Sequence, residues 1–212
     1  MEFSFEAANN YCLQHSSSTT ELLEEIHAFT YQHHTEPHML SGALQGKFLS
    51  MISHMVQPKR ILEIGTFTGY SALCLAEGLA PGGTLHTIEK REDDAKIAKG
   101  FFDRSPFSQQ IIQHTGDGHE IIHSINEEWD LIFIDADKTG YTDYFQYLID
   151  KVKVGTYFLF DNVLFHGEVL NEQVKGKNGK AISAFNEYLK NNNQIDLVMV
   201  PIRDGISIVR KK

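Results

Sequence analysis

Apolar positions change period along the chain, and the changes mark its elements. The first forty residues read as a helical lead-in. Thr20 can cap a helix over residues 21–31, where Leu22, Leu23, Ile26 and Phe29 recur at helical spacing. Glu36-Pro37 breaks it. Leu44, Phe48, Met51, Ile52 and Met55 then form a helical stripe expected to pack on a sheet, and Pro58 ends it. From residue 60 onward, short apolar runs alternate with helical ones. Strands are predicted over 60–64, 84–88, 110–114, 131–135 and 157–160, with helices over 70–79, 92–102, 118–125 and 141–152 between them. Near-continuous apolar strands separated by helices imply a parallel sheet covered on both faces. The end differs. A helix over 183–190 precedes strands over 195–202 and 206–210, joined only by Arg203-Asp204-Gly205. Three residues cannot carry a parallel crossover, so these strands form an antiparallel hairpin. That ending is unlike an ordinary dehydrogenase domain.

Composition narrows the class. A chain of 212 residues with 42% hydrophobic positions suits one α/β domain over 1–212 with a single core. Within it, 1–57 form the helical lead-in and cover, and 58–212 the core sheet. The net charge of −9 repels phosphate backbones, which makes nucleic acid an unsuitable general partner but permits a small basic loop at Lys175, Lys177 and Lys180. Cys12 and Cys74 are far apart with no metal-ligand spacing, so they read as free thiols in a reducing compartment. Residues 1–10 carry Glu2 and Glu6 and no long apolar run, unlike a secretory signal, and no stretch reaches the ~20 apolar residues of a bilayer span. A cytoplasmic location is the expectation. His33, His34 and His38 have a spacing compatible with a metal, but His33 and His34 read as a solvated helix end.

The chemistry gathers at the carboxyl ends of the strands, where open parallel sheets bind ligands. The first core strand runs into Glu63-Ile64-Gly65-Thr66-Phe67-Thr68-Gly69-Tyr70-Ser71. Gly65 and Gly69 leave room for a ligand to approach the backbone, and Ser71 lies in the first turn of a helix with free N–H groups. Phe67 stands where a dinucleotide fingerprint has its second glycine, which argues for a ligand without phosphates. Glu89, at the end of the next strand, can accept from both ribose hydroxyls. With Glu63 nearby, two carboxylates suit a cationic nucleoside such as S-adenosylmethionine. Asp117, in Thr115-Gly116-Asp117-Gly118-His119, can border an adenine ring, cap the short helix that follows, or do both.

A second cluster follows. One strand ends in Asp135-Ala136-Asp137-Lys138, and another in Asp161-Asn162. Asp135, Asp161 and Asn162 would converge from neighbouring strands as three oxygen ligands without a thiol, a set for a hard cation such as magnesium. The competing reading is that the aspartates cap helices. Two vicinal hydroxyls can chelate such a cation, which lowers a hydroxyl pKa. Lys138 is placed to take the proton, with burial and the cation both expected to depress its own pKa. Alternatively it is a solvated charge in a first helical turn, where it opposes the helix dipole.

These motifs, beginning at Leu62-Glu63-Ile64-Gly65, together resemble those of the cation-dependent O-methyltransferases, a group that includes catechol O-methyltransferase and plant caffeoyl-CoA O-methyltransferase. The resemblance runs from about Met39 to the terminal hairpin. It implies a Rossmann-like class I methyltransferase: a seven-stranded, mostly parallel sheet with an antiparallel last strand, usually in a homodimer. It assigns Asp135, Asp161 and Asn162 to a metal, with Mg2+, Mn2+ or Ca2+ as candidates. It assigns Glu63, Gly65, Thr66, Ser71, Glu89 and Gly118 to S-adenosylmethionine, with Met39 and Ser41 from the leading segment. Asp117, Asp135 and Asp137 are further candidate cofactor contacts, and Lys138 matches the catalytic lysine.

Substrate recognition departs from the family. Phe165 stands where relatives often carry tryptophan, and His166 follows it. These two, with Lys138 and Asn162, are the candidate substrate contacts, although Phe165 and His166 can equally serve loop packing. No coenzyme A motif is visible in the N-terminal region, which favours a free catechol or polyphenol over a thioester. Three rivals remain: a tRNA hydroxyuridine methyltransferase of the same group, a nicotinamide-dependent oxidoreductase, and a noncatalytic S-adenosylmethionine-binding protein.

Overall fold

The computed structural model describes residues 5–212; residues 1–4, part of the stretch read above as no secretory signal, lie outside it. Helices α1 (Phe5–Gln14), α2 (Glu21–His33) and α3 (Gly42–Val56) lead in, with a 3-10 turn, Pro37–Met39, before α3. The Thr20 hydroxyl caps α2 by accepting from Leu23 N. Strands β1 (Arg60–Ile64), β2 (Thr84–Glu89), β3 (Ile111–Thr115), β4 (Leu131–Ile134) and β5 (Tyr157–Asp161) alternate with α4 (Tyr70–Ala76), α5 (Glu92–Phe102), α6 (Gly118–Ile121) and α7 (Tyr141–Ile149). Helix α8 (Lys177–Lys190) and strands β6 (Ile195–Val200) and β7 (Ile206–Lys211) complete the chain.

The seven strands lie in the order β3-β2-β1-β4-β5-β7-β6, and β7 runs antiparallel to both neighbours. Strand alternation divides two cores. Leu62, Ile64, Ile132, Ile134, Phe158 and Phe160 face α7 and α8, while Ile61, Leu85, Leu131, Phe133 and Leu159 face α2 to α5. Strand order reverses between the parallel neighbours β1 and β4, β2 and β3 lying to one side and β5 to the other, which opens a crevice at their carboxyl ends.

Three expectations need correction. In α3, Met51 and Met55 are exposed, and Leu44, Phe48 and Ile52 are only half-buried. The buried face is instead Gln45, Gly46, Leu49, Ser50 and Ser53. Small residues let α3 lie close on α4, where a Cβ at Gly46 would stand 2.6 Å from the Tyr70 ring. The buried hydroxyls are satisfied by Ser50 donating to Glu77 and Ser53 to the Leu75 carbonyl. Helix α8 begins six residues earlier than its apolar pattern, so Lys177 and Lys180 lie in its first turn rather than in a loop. His34 is no solvated helix end: its side chain is 11% exposed, and Nε2 lies 2.9 Å from Asp94 Oδ1. Helix α5 keeps its predicted limits, whereas α4, α6 and α7 end three or four residues short of theirs, because apolar residues continue into the turns.

Candidate active site

One cavity of about 500 Å³ occupies the crevice, a size suited to a small ligand. Every candidate residue except Glu63 lines it: Met39 and Ser41 from the lead-in, Gly65, Thr66 and Ser71 after β1, Glu89 as the last residue of β2, Asp117 and Gly118 after β3, Asp135, Asp137 and Lys138 after β4, Asp161 as the last residue of β5, and Asn162, Phe165 and His166 after it. Glu63 is fully buried beneath it.

The loop after β1 is set by its own packing. Gly65 adopts φ +103°, and a Cβ there would lie 2.1 Å from the Asp135 carbonyl oxygen. Gly69, at φ +91°, has the Phe102 ring in the same position. These glycines therefore serve contacts within the chain, not only the approach of a ligand. Phe67 also takes a left-handed φ, +51°, and its N–H donates to Glu89 Oε2 at 2.7 Å. Arg91 N donates to Glu89 Oε1 at 2.9 Å. A carboxylate oxygen accepts more than one bond, so Glu89 keeps acceptor capacity toward the cavity. Asp117 does cap α6, accepting from His119 N at 2.9 Å, and also pairs with Lys90 at 2.8 Å. Asp137 Oδ1 accepts from the Tyr144 hydroxyl at 3.3 Å.

Glu63 is the buried charge in need of explanation. Thr87 donates to its Oε2, while Oε1 has no hydrogen-bond partner. Burial pushes the carboxyl up to about 8, against the opposing Ser71 and Thr87 hydroxyls. An orphaned buried oxygen below a nucleoside-sized cavity fits a ligand that brings positive charge.

The second cluster is equally telling. Asp161 is buried, and its two oxygens accept from Gln45 Nε2 at 2.7 Å and Asn162 N at 2.8 Å. Burial, then the nearby Asp135 carboxylate, raise it to about 7. Asn162 takes a left-handed φ of +56° and donates from Nδ2 to Asp204 Oδ2 at 3.2 Å. Among the described residues, no three His, Cys, Asp or Glu side chains form a metal-type group. The available donors are two carboxylates and one amide oxygen, all hard, and the mutual repulsion of the carboxylates is what a divalent cation would relieve.

Lys138 lies in a 3-10 turn, Lys138–Gly140, with its side chain only 14% exposed. Nζ donates to Asp135 Oδ1 and to the Tyr141 hydroxyl, both at 2.8 Å. Burial pulls its pKa down, but Asp135 and Tyr141 outweigh burial and raise it well above the ordinary lysine value. This corrects the expected depression: in the chain alone, Lys138 is the counter-ion of Asp135. Sequence reasoning also missed Gln45, Arg203 and Asp204, which brace the cluster from a helix and a hairpin turn. Gln45 shares α3 with the polar residues Lys47, Ser50, Ser53 and His54, so the sequence held no signal that singled it out.

A mostly parallel seven-stranded sheet with a reversed β7, and a nucleoside-sized crevice at its switch point, define a class I methyltransferase. Comparison identifies the group: residues 13–212 match the O-methyltransferase family, and the chain belongs to it. It is 36% identical over 173 residues to a catechol O-methyltransferase of Niastella koreensis, covering 77% of this chain and 78% of that one. It is 30% identical over 208 residues to a probable caffeoyl-CoA O-methyltransferase of Dictyostelium discoideum, covering 95% and 90%. Among solved structures, an S-adenosylhomocysteine-bound methyltransferase from Podospora anserina superposes with TM-score 0.90 at 27% identity, covering 100% of this chain and 98% of that one. An O-methyltransferase from Bacillus cereus, also with S-adenosylhomocysteine, gives 0.89 at 28%, covering 97% of each. The chain is thus an S-adenosylmethionine-dependent O-methyltransferase, which sets aside the nicotinamide and noncatalytic readings. Among the described residues, no helix is long and apolar enough to cross a membrane.

The state of Glu63 yields a prediction. Its folded pKa lies above its unfolded value, so its contribution to stability is intact below about pH 4.5 and is lost as pH rises to about 8. Ligand-free Glu63→Gln should therefore melt about 5 °C above wild type at pH 9 and close to it at pH 5, while binding S-adenosylmethionine about tenfold more weakly. Scanning calorimetry at both pH values checks this; an equal difference at the two would remove the buried charge as the cause.

Proposed function

We propose that this O-methyltransferase acts on a hydroxyl of a catechol-like small molecule with the help of a divalent cation, magnesium foremost and manganese or calcium as substitutes. The observation that carries the reading is the convergence of Asp135, Asp161, Asn162 and Lys138 in the same cavity as Glu89. The catechol and caffeoyl-CoA activities in the names of the relatives support a phenolic acceptor. The net charge of −9 weighs against tRNA.

In this reading, Met39, Ser41, Gly65, Thr66, Ser71, Glu89, Asp117, Gly118 and Asp137 surround the cofactor, with Glu63 beneath it. Glu89 meets the ribose hydroxyls. Asp135, Asp161 and Asn162 hold the cation, and Asp135 also borders the cofactor. When bound, S-adenosylmethionine supplies a methyl group on a sulfonium, and the cation supplies Lewis acidity that stabilises a substrate oxyanion. With a cation on Asp135, the carboxylate that holds the Lys138 proton would be taken up, and the neutral Nζ would then accept the proton from the hydroxyl. S-adenosylmethionine held there would supply its methyl group to that oxygen and leave as a neutral thioether, with the proton held on Lys138. Phe165 walls the aromatic ring, and His166 meets its polar substituent. Much of the acceleration then comes from alignment of the two reactants.

The test is methyl transfer to caffeic acid or 3,4-dihydroxybenzoate after chelator treatment, with and without added Mg2+. Product is expected only with Mg2+ restored. Equal turnover in both conditions would sink the metal role, and no transfer to any catechol with cofactor binding intact would move the acceptor elsewhere.

The same proposal covers the assembly. Residues 1–57 and 58–212 act as one catalytic unit, the first covering the second, in the reducing cytoplasm where Cys12 and Cys74 stay free. Exposed Met51 and Met55 on α3, with Val198 and Met199 on β6, supply apolar surface for a homodimer. Light scattering should give twice the chain mass, reduced to a monomer by Met55→Glu; a monomeric wild type would refute it.

A further inference from the structure

We propose that Asp204, in the turn between β6 and β7, is a positioning residue that orients Asn162 for the cation. The inference rests on the metal reading above and extends it to a residue outside the ligand set.

Both oxygens of Asp204 are committed. Oδ2 accepts from Asn162 Nδ2 at 3.2 Å, and Oδ1 accepts from His166 N at 2.6 Å. A carboxylate only accepts hydrogen bonds, so the amide nitrogen of Asn162 must face it, leaving Oδ1 of Asn162 as the atom offered to the cavity. A neutral or donating group at position 204 would remove that discrimination and let the amide turn over.

Asn162 also needs to be held. Asn162, Phe165 and His166 have left-handed φ values of +56°, +46° and +54°, a conformation that side-chain-bearing residues adopt at a cost. The backbone of the turn secures the segment as well: Leu164 N donates to Asp204 O at 2.8 Å, and Val163 N to Gly205 O at 3.2 Å. Gly205 permits this approach, since a Cβ there would lie 2.6 Å from Leu164 Cγ.

The neighbouring Arg203 reaches the other way. Its Nη1 donates to the carbonyls of Leu40 (2.6 Å) and Ser41 and, at 3.4 Å, to Gln45 Oε1; Gln45 in turn donates to Asp161. The turn therefore braces the cluster from two sides, and Asp204 has the direct hold on Asn162.

The test is Mn2+ binding to the full-length, chelator-stripped chain, followed by the paramagnetic resonance of free Mn2+, with S-adenosylhomocysteine affinity measured separately without metal. Asp204→Ala should weaken Mn2+ binding about tenfold and leave S-adenosylhomocysteine affinity within about twofold. In an Asn162→Ala background, the same substitution should change Mn2+ affinity less than about twofold, because its effect passes through Asn162. Asp204→Ala binding Mn2+ like wild type, or the two effects adding, would overturn the proposal. A wild type that takes up no Mn2+ would overturn the metal reading itself, a distinct result. If Asp204→Ala does not fold, 15N-asparagine spectra of the wild type decide: the Asn162 side-chain amide should be protected from exchange and shift on adding Mg2+, and an amide exchanging freely would refute the role.

Discussion

Asp161→Asn should lose about a thousandfold in turnover while folding as well as the parent. The two halves have separate causes. The charge at this position is what a cation would bind, and the loss of ~4 kcal/mol of charge stabilisation corresponds to about three decades in rate. In the chain alone the same charge is a burden. The carboxyl is buried, Asp135 repels it, and its pKa is pushed up to about 7. Neutralising it removes that penalty. One oxygen becomes an NH2 group, so one of the hydrogen bonds from Gln45 and Asn162 N must be rebuilt, which offsets part of the gain. The metal-free melting temperature should stay within a few degrees of wild type. Added Mg2+ should raise the melting temperature of the wild type and leave the variant unmoved, as expected when a ligand binds only the folded state of one of them. A variant that kept Mg2+-dependent turnover within tenfold would remove Asp161 from the metal set.

Residues that carry charge at strand ends were legible because topology alone places them. Once β4 and β5 read as parallel neighbours, Asp135 and Asp161 had to emerge side by side, and they line one cavity. The hairpin was legible from loop length, and the β1 loop from its glycines. Contacts between distant segments were not. Gln45 lies 116 residues from Asp161, and Asp204 lies 42 from Asn162. Spacing gives no sign of such pairs, and a polar residue in a turn is ordinary. The face of α3 was misread for a related reason. Its largest apolar side chains form the stripe, but close contact with α4 selects small residues. The pKa of Lys138 was misjudged because burial was visible in outline, whereas the two acceptors that hold its proton appear only in the folded geometry.

Lys138 provides the strongest separation of chemistry from structure. Lys138→Met should lower kcat by about 10²- to 10⁴-fold, the usual contribution of general base catalysis, with the KM for S-adenosylmethionine within about threefold of wild type. It should also destabilise the metal-free chain by ~3–5 kcal/mol, because Asp135 loses its counter-ion beside the Asp161 carboxylate. Both losses in one variant would leave the role ambiguous. Lys138→Arg resolves it. A guanidinium keeps the positive charge next to Asp135 and so most of the stability, but it does not release its proton at working pH. The arginine variant should therefore be stable and nearly as slow as the methionine variant. With a cation bound to Asp135, the charge that holds the Lys138 proton is taken up, so the wild-type rate should rise with pH as the ammonium loses its proton, and that limb should be absent from both variants. An arginine variant with more than about a tenth of wild-type kcat would show that Lys138 acts by its charge, orienting the acceptor or balancing Asp135, and the proton would then have to leave by another route.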